Sequence, residues 1–342
     1  MERRWREQWL GFVVLIFLLA TASGLEAQEL KTVKVGHFVA TNSGGLYIAQ
    51  DRGYFAEQGI RAVFEPFSDA SKAYPALATG EIDVYGGGLS PSLYNAIARG
   101  IPLKVVADKS HEEKGYGFKV VVARKDLYDS GKLRSIRDIK GLAVAGLPRG
   151  SSMDYQLDLI LRPNGLALQD VQYVGMSMPD TIPALTSKRI DAAFVMEPIV
   201  TRIVEQGLGV KITSLDQWAP GFQGGAIIYG EPFIKNSPEL ARRFMVAYVK
   251  GLRDYNDAIK GKPIRKEVIE ILMKWTPLKD PKLYDKLAWT ALDPNGSVST
   301  KYLMHEQEWY LKEGLVKQVI SIEKFVDQQY VEYAVKVLGR YE

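Results

Sequence analysis

Ala76-Leu77-Ala78-Thr79-Gly80-Glu81-Ile82-Asp83-Val84 is echoed further along the chain by Ala184-Leu185-Thr186-Ser187-Lys188-Arg189-Ile190-Asp191-Ala192. In each copy a short helix runs into a small or polar turn, and an Ile-Asp pair then opens a buried strand. A loop follows each strand: Gly86-Gly87-Gly88-Leu89-Ser90-Pro91 after the first copy, Met196-Glu197-Pro198 after the second. Two such copies imply two similar lobes whose loops can face one another across a cleft.

The segments around the echoes fit that idea. Residues 31–36 alternate apolar and polar side chains and predict a first strand. A loop from His37 to Gly45 leads into a helix that Asn42 or Ser43 can cap and Gly53 can end. Strands are expected at 60–64, 82–85, 103–107 and 118–123, with a polar loop over 108–117. The pattern then restarts, with helices expected at 133–140, 153–162, 181–186 and 199–205. Strands are expected between them at 142–145, 171–174, 190–195 and 210–213. Helices and strands alternating at this spacing predict an α/β fold with mostly parallel sheets.

Two glycine-rich segments, 115–118 and 221–225, are the expected crossings between lobes, because glycine absorbs large changes in backbone angle. One lobe then comprises residues 28–118 and 224–342, and the second, residues 119–223, is inserted into it. The C-terminal third reads as helical, with helices over 238–260, 299–313 and 323–338. The first of these carries an apolar face of Phe244, Tyr248, Leu252, Tyr255 and Ile259 that core packing explains.

Composition narrows the function classes. With 46% hydrophobic and 25% charged residues, neither disorder nor a multi-span membrane protein fits. The net charge of +4 is spread among interleaved acids and bases, and no nucleic-acid motif accompanies it. Residues 1–27 have the layout of a secretory signal peptide: Arg3, Arg4 and Arg6 precede an apolar run from Leu10 to Ala20, with small residues after it. The chain has no cysteine, which excludes disulfides, thiol nucleophiles, thiolate metal sites and a lipoprotein anchor. A free exported protein of this kind is expected in a bacterial periplasm.

Cofactor motifs are lacking. Gly141 and Gly146 have P-loop spacing, but Leu147 and Pro148 stand where Lys and Ser or Thr are needed. No G-x-G-x-x-G opens a helix after a strand. His37, His111 and His305 lie in unrelated elements, so neither a cofactor nor a metal is expected.

Anion chemistry is better represented. Arg149-Gly150-Ser151-Ser152 precedes a helix whose first backbone N–H groups and partial positive charge can receive an anion, with Arg149 as a bidentate partner. Equally, Ser151 and Asp154 can form an ordinary capping box. Ser90-Pro91 and residues 41–45 offer two further helix starts after strand ends, where ligands of open α/β sheets bind. Glu197 can bind a cationic ligand group or bridge the lobes. His37 and Phe38 can line the cleft, and Tyr116 and Trp218 can wall it, although a surface role for the histidine and core roles for the two aromatics are the plainer readings.

Gly44-Gly45-Leu46-Tyr47-Ile48-Ala49, Gly53-Tyr54-Phe55, Gly80-Glu81-Ile82-Asp83, Gly150-Ser151, Ile190-Asp191-Ala192 and Glu197-Pro198 resemble the solute-binding proteins of ABC importers. Residues 309–316 and 330–334 are similar to the same group, which serves nitrate, sulfonates, taurine and thiamine-pyrimidine precursors. The resemblance implies a two-lobed periplasmic binding protein fold of type II with two hinge crossings. It implies ligand contacts in loops matching Phe38, Thr41, Asn42 and Ser43, then Leu89 and Ser90, then Gly150, Ser151 and Ser152, and Glu197. It does not imply catalysis, and points to a small-molecule ligand and delivery by a monomer to an inner-membrane permease with a cytoplasmic ATPase. A sulfonate, taurine or nitrate-like anion is favoured by Arg149 and the helix starts, whereas Glu197 points to an amine or a neutral heterocycle. A fungal branch of the fold makes the thiamine pyrimidine, but its cysteine-rich motif has no counterpart here. A sensor for a membrane signalling protein would carry the same sequence features.

Overall fold

The two echoes occupy equivalent positions in two sheets of matching topology. The structure, a computed structural model, describes residues 29–67 and 70–342; the expected signal peptide lies outside the described residues. The first sheet contains β1 (Lys31–His37), β2 (Ile60–Pro66), β3 (Val84–Gly87), β4 (Leu103–His111) and β10 (Gln223–Gly230) in the order β2-β1-β3-β10-β4. The second contains β5 (Lys119–Arg124), β6 (Ala143–Gly146), β7 (Gln172–Gly175), β8 (Ala192–Met196) and β9 (Gly209–Ser214) in the order β7-β6-β8-β5-β9. Each sheet takes one antiparallel strand from the far side of a crossing: β10 runs against β3 and β4, and β5 against β8 and β9. The sheets are therefore mixed, where the alternation of elements alone implied mostly parallel ones.

The echo now has a physical cause. Lys34 N donates to Asp83 Oδ2 at 2.8 Å, and Asp83 N donates to Lys34 O at 2.9 Å. Ala143 N donates to Asp191 Oδ2 at 3.0 Å, and Asp191 N donates to Ala143 O at 2.8 Å. Each aspartate thus ties the start of its strand to the adjacent parallel strand, β1 or β6, while Ile82 and Ile190 beside it are fully buried. The preceding turns also match: Gly80 and Lys188 both adopt left-handed backbone, at φ 76° and 58°. Glycine takes that conformation at no steric cost, whereas lysine does not.

The polar loop expected over 108–117 is replaced at its start by strand. β4 continues to His111, with Ala226 opposite Asp108 and Gly225 opposite Ser110 on β10. Asp108, Lys109 and Ser110 are all buried. Asp108 makes this possible: Oδ1 accepts from Ser110 N and Gln223 Nε2, and Oδ2 accepts from Asp293 N at 2.6 Å and faces His111 Nδ1 at 3.0 Å. Burial opposes charge on His111, yet Asp108 and the neighbouring acids outweigh it and raise its pKa to about 9. Two of these partners lie 115 and 185 positions away, so local sequence could not announce them.

Behind the first sheet the long helix Pro238–Ile259 packs on the helix Gly44–Asp51 through Tyr248, Leu252 and Tyr255. The contact needs glycine, because a Cβ on Gly251 would sit 2.1 Å from Gly45 O. The last expected helix is shorter, a single turn at Ile322–Lys324 followed by the helix Gln329–Leu338, and the helix Arg265–Trp275 was not anticipated. Among the described residues no helix is long and apolar enough to cross a membrane.

Candidate ligand-binding cavity

A cavity of about 640 Å³ opens where loops from the carboxyl ends of β1, β3, β6 and β8 converge with the crossing strands. That size suits a small organic molecule. Both echo loops contribute, Leu89 and Ser90 from the first and Met196 from the second. Of the expected site residues, Phe38, Asn42, Leu89, Ser90, Arg149, Gly150, Ser151 and Ser152 line the wall together.

The other three expected residues stand outside the wall. Glu197 is buried; its carboxylate accepts from Thr201 N at 2.9 Å and Ala288 N at 3.3 Å and lies 3.8 Å from Lys211 Nζ. Those partners draw it away from the cavity, so it ties residues of the 199–205 helix to the 286–289 segment. Ser43 Oγ donates to Phe38 O at 2.7 Å and makes no cap, so it closes the loop from inside. Thr41 is buried within the same loop, its hydroxyl without a partner among the described residues. His37 is neither in the wall nor on the surface: it packs against Tyr47, Phe64 and Trp275, and Nδ1 meets Tyr47 Oη at 3.0 Å. Burial, with Lys109 nearby, lowers its pKa to about 4 and keeps it neutral. Trp218 donates to Thr213 Oγ1 at 2.7 Å and also stays outside the cavity, and Tyr116 borders a separate pocket of about 220 Å³ beside Lys211.

The alternative of a capping box at Ser151 is decided by geometry. Asp154 Oδ2 accepts from Gly150 N at 2.7 Å, one residue too early for the box, and Ser151 Oγ is buried with no partner among the described residues. The Ser152–Leu161 helix therefore presents its first turn and a spare hydroxyl to the cavity. Gln156, 1% exposed and in the wall, adds a second buried unpartnered atom, Oε1. Ser90 caps nothing with its side chain and shares a 2.7 Å contact with Ser92 Oγ, so the Pro91–Ala98 helix also starts at the wall.

Two basic residues not anticipated from sequence complete the wall. Lys109, from β4, is 1% exposed and donates to Asn42 Oδ1 at 2.8 Å. Lys119, which opens β5, is buried and lies 2.9 Å from Glu112 Oε1 as an ion pair. A lysine opening an otherwise apolar strand was the available signal for the second. Arg149 sits differently: it is half exposed, its guanidinium lies 5.3 Å from the Tyr173 ring centre, and Asp154 and Glu313 are 3.6 and 3.9 Å away. Among the described residues the wall holds Lys109, Lys119 and Arg149 and no carboxylate. No group of three or more acidic or histidine side chains is placed to hold a metal among the described residues.

Comparisons with known proteins agree with this architecture. A family model described as NMT1/THI5 like matches residues 40–258. A Brucella abortus (strain 2308) protein named as a binding protein is 28% identical over 213 residues, 62% of each chain. The 4-amino-5-hydroxymethyl-2-methylpyrimidine phosphate synthase of Aspergillus parasiticus is 28% identical over 223 residues, 61% of each. The chain thus spans about three fifths of the length of the curated relatives it matches. Among solved structures, the periplasmic aliphatic sulphonate binding protein of Escherichia coli aligns with a TM-score of 0.70 at 18% identity, covering 87% of this chain and 92% of that one. That likeness is one of fold: two mixed sheets flanked by helices.

Proposed function

The chain belongs to the NMT1/THI5-like family, and on that premise we propose that it is an extracytoplasmic receptor that closes around one small organic anion. The observation that carries this reading is the charge of the cavity wall, whose charged side chains among the described residues are all basic. Two helix N-termini facing the same space act in the same direction. An alkyl or aryl sulfonate fits this wall well, since Phe38, Leu89, Leu147, Met153 and Met196 supply apolar surface beside the cations. Nitrate alone would leave most of about 640 Å³ unfilled.

Lobes comprising residues 28–118 with 224–342, and residues 119–223, would close by hinging at the crossings. The solute touches both lobes only in the closed state, so its binding energy favours that state. The closed monomer would present the solute to an inner-membrane ABC permease driven by a cytoplasmic ATPase, in the periplasm, after removal of residues 1–27. Glu197, turned away from the cavity, no longer argues for a cationic solute.

A thermal-shift screen with sulfonates, aromatic acids, nitrate, pyrimidines and polyamines tests this. A true ligand at 100 times its dissociation constant stabilises by about 2.7 kcal/mol. Stabilisation by sulfonates or aromatic acids is expected; stabilisation by polyamines alone, or by nothing in the panel, would overturn the reading.

A second reading, a pyrimidine-forming enzyme, is favoured by one observation: a buried lysine in the wall, in a chain with synthase relatives. Incubation with candidate pyrimidine precursors followed by mass spectrometry would reveal turnover, and an unchanged mass spectrum supports the receptor.

A further inference from the structure

β4 and β5, the strands on either side of the first crossing, bring two buried lysine amines to the cavity wall from opposite sheets, Lys109 on β4 and Lys119 on β5. Their surroundings differ in a way that matters for a ligand. Lys119 is compensated by Glu112 at 2.9 Å. Lys109 has only a neutral acceptor, the Asn42 side-chain oxygen, and no carboxylate among the described residues lies within ion-pair distance. Asp108 is next to it in sequence, but both its oxygens are engaged by Ser110, Gln223, Asp293 and His111. From β1 it meets neutral His37, and from β5 the like charge of Lys119. A buried cation without an anionic partner is costly, and an anionic ligand relieves that cost.

The cavity is built to keep the second lysine close. A Cβ on Gly224, itself in the wall, would come within 2.7 Å of Lys119 Nζ. Arg149 is a weaker anchor, half exposed and already shared among Tyr173, Asp154 and Glu313.

We propose that Lys109, together with Lys119, receives the acid group of an organic anion, so that one ligand group ties β4 of the first sheet to β5 of the second. This rests on the anion-receptor reading and adds the anchoring residue and a proton. Burial, with repulsion from Lys119 and against attraction from Asp108, lowers the Lys109 pKa to about 7. Above that pH the amine is largely neutral without ligand, and an anion beside it favours the protonated form. Binding therefore takes up a proton at pH 8, and affinity falls as pH rises through and above about 7.

Calorimetric titration of the whole chain with benzenesulfonate and hexanesulfonate at pH 8, in Tris and in triethanolamine, counts that proton on the unaltered protein. A measurable uptake is expected, with no uptake in Lys109→Met and an affinity lower by at least about tenfold, as for loss of a charged hydrogen bond. Lys119→Met should also weaken both probes, and Arg149→Ala should weaken them by less than Lys109→Met does. Wild-type binding with no proton uptake overturns the proposal and leaves the receptor reading intact. So does Lys109→Met binding as tightly as wild type. No binding of either probe by wild type, together with a silent thermal-shift panel, overturns both.

Discussion

The loops after β3 and β8 start from the same place in two sheets of the same order, yet only one keeps its polar group in the cavity. After β3, Ser90 stays in the wall at the start of a helix. After β8, Met196 takes the wall and the next residue, Glu197, turns inward to bind Thr201 N and Ala288 N. Upstream the two copies are alike down to the aspartate that grips the neighbouring strand and the left-handed residue before it. Topological equivalence therefore specifies where a loop begins and which backbone it is tied to. It does not specify which side chain faces the ligand, because that depends on partners each lobe brings from elsewhere.

That contrast can be broken or sharpened by five substitutions. The largest effect is expected for Glu197→Ala, which strands one buried and one partly buried backbone donor and should lower unfolding free energy by about 3 kcal/mol. Urea denaturation measures it, and benzenesulfonate affinity should stay within about twofold; a large loss of affinity at intact stability would return Glu197 to the site. Asp191→Ala comes next, at about 2 kcal/mol, because this carboxylate accepts from Ala143 N and also from Arg124 Nη1 at 2.9 Å. Asp83→Ala, which removes only the Lys34 contact, should cost about 1 kcal/mol by the same measurement. Equal losses at the two aspartates would mean that the arginine adds nothing. The smallest expected change is a gain: Lys188→Gly relieves the left-handed lysine and should stabilise by about 0.5 kcal/mol, while Gly80→Ala at the matching turn should destabilise. A loss on Lys188→Gly would show that its ion pair with Asp126, 3.2 Å apart, outweighs the backbone term.

Much of the frame was legible because its signals are local. The Thr181–Thr186 and Ile199–Glu205 helices match their expected bounds, and most strands fall within two or three residues of theirs. Helix starts at Ser90 and Ser151 were readable from Ser, Pro and Gly in sequence order, and both border the cavity. Lys109 was missed for the opposite reason. In the run Asp108-Lys109-Ser110-His111 every residue is polar, and a polar run reads as loop unless its partners are known. Here Gln223, Asp293 and Asn42 supply them from three distant segments. Glu197 failed similarly, since its acceptor role depends on Ala288, 91 positions away.

The sequence by itself determined the two-lobed α/β frame, its helix starts and the loops that reach the cavity, because apolar period, caps and turns act over a few residues. Only the tertiary structure decided that the wall is lined by two buried lysines, that Glu197 faces inward and that Lys109 has no acidic partner among the described residues. Burial and partner geometry set those properties, and both arise from residues brought together across the whole fold.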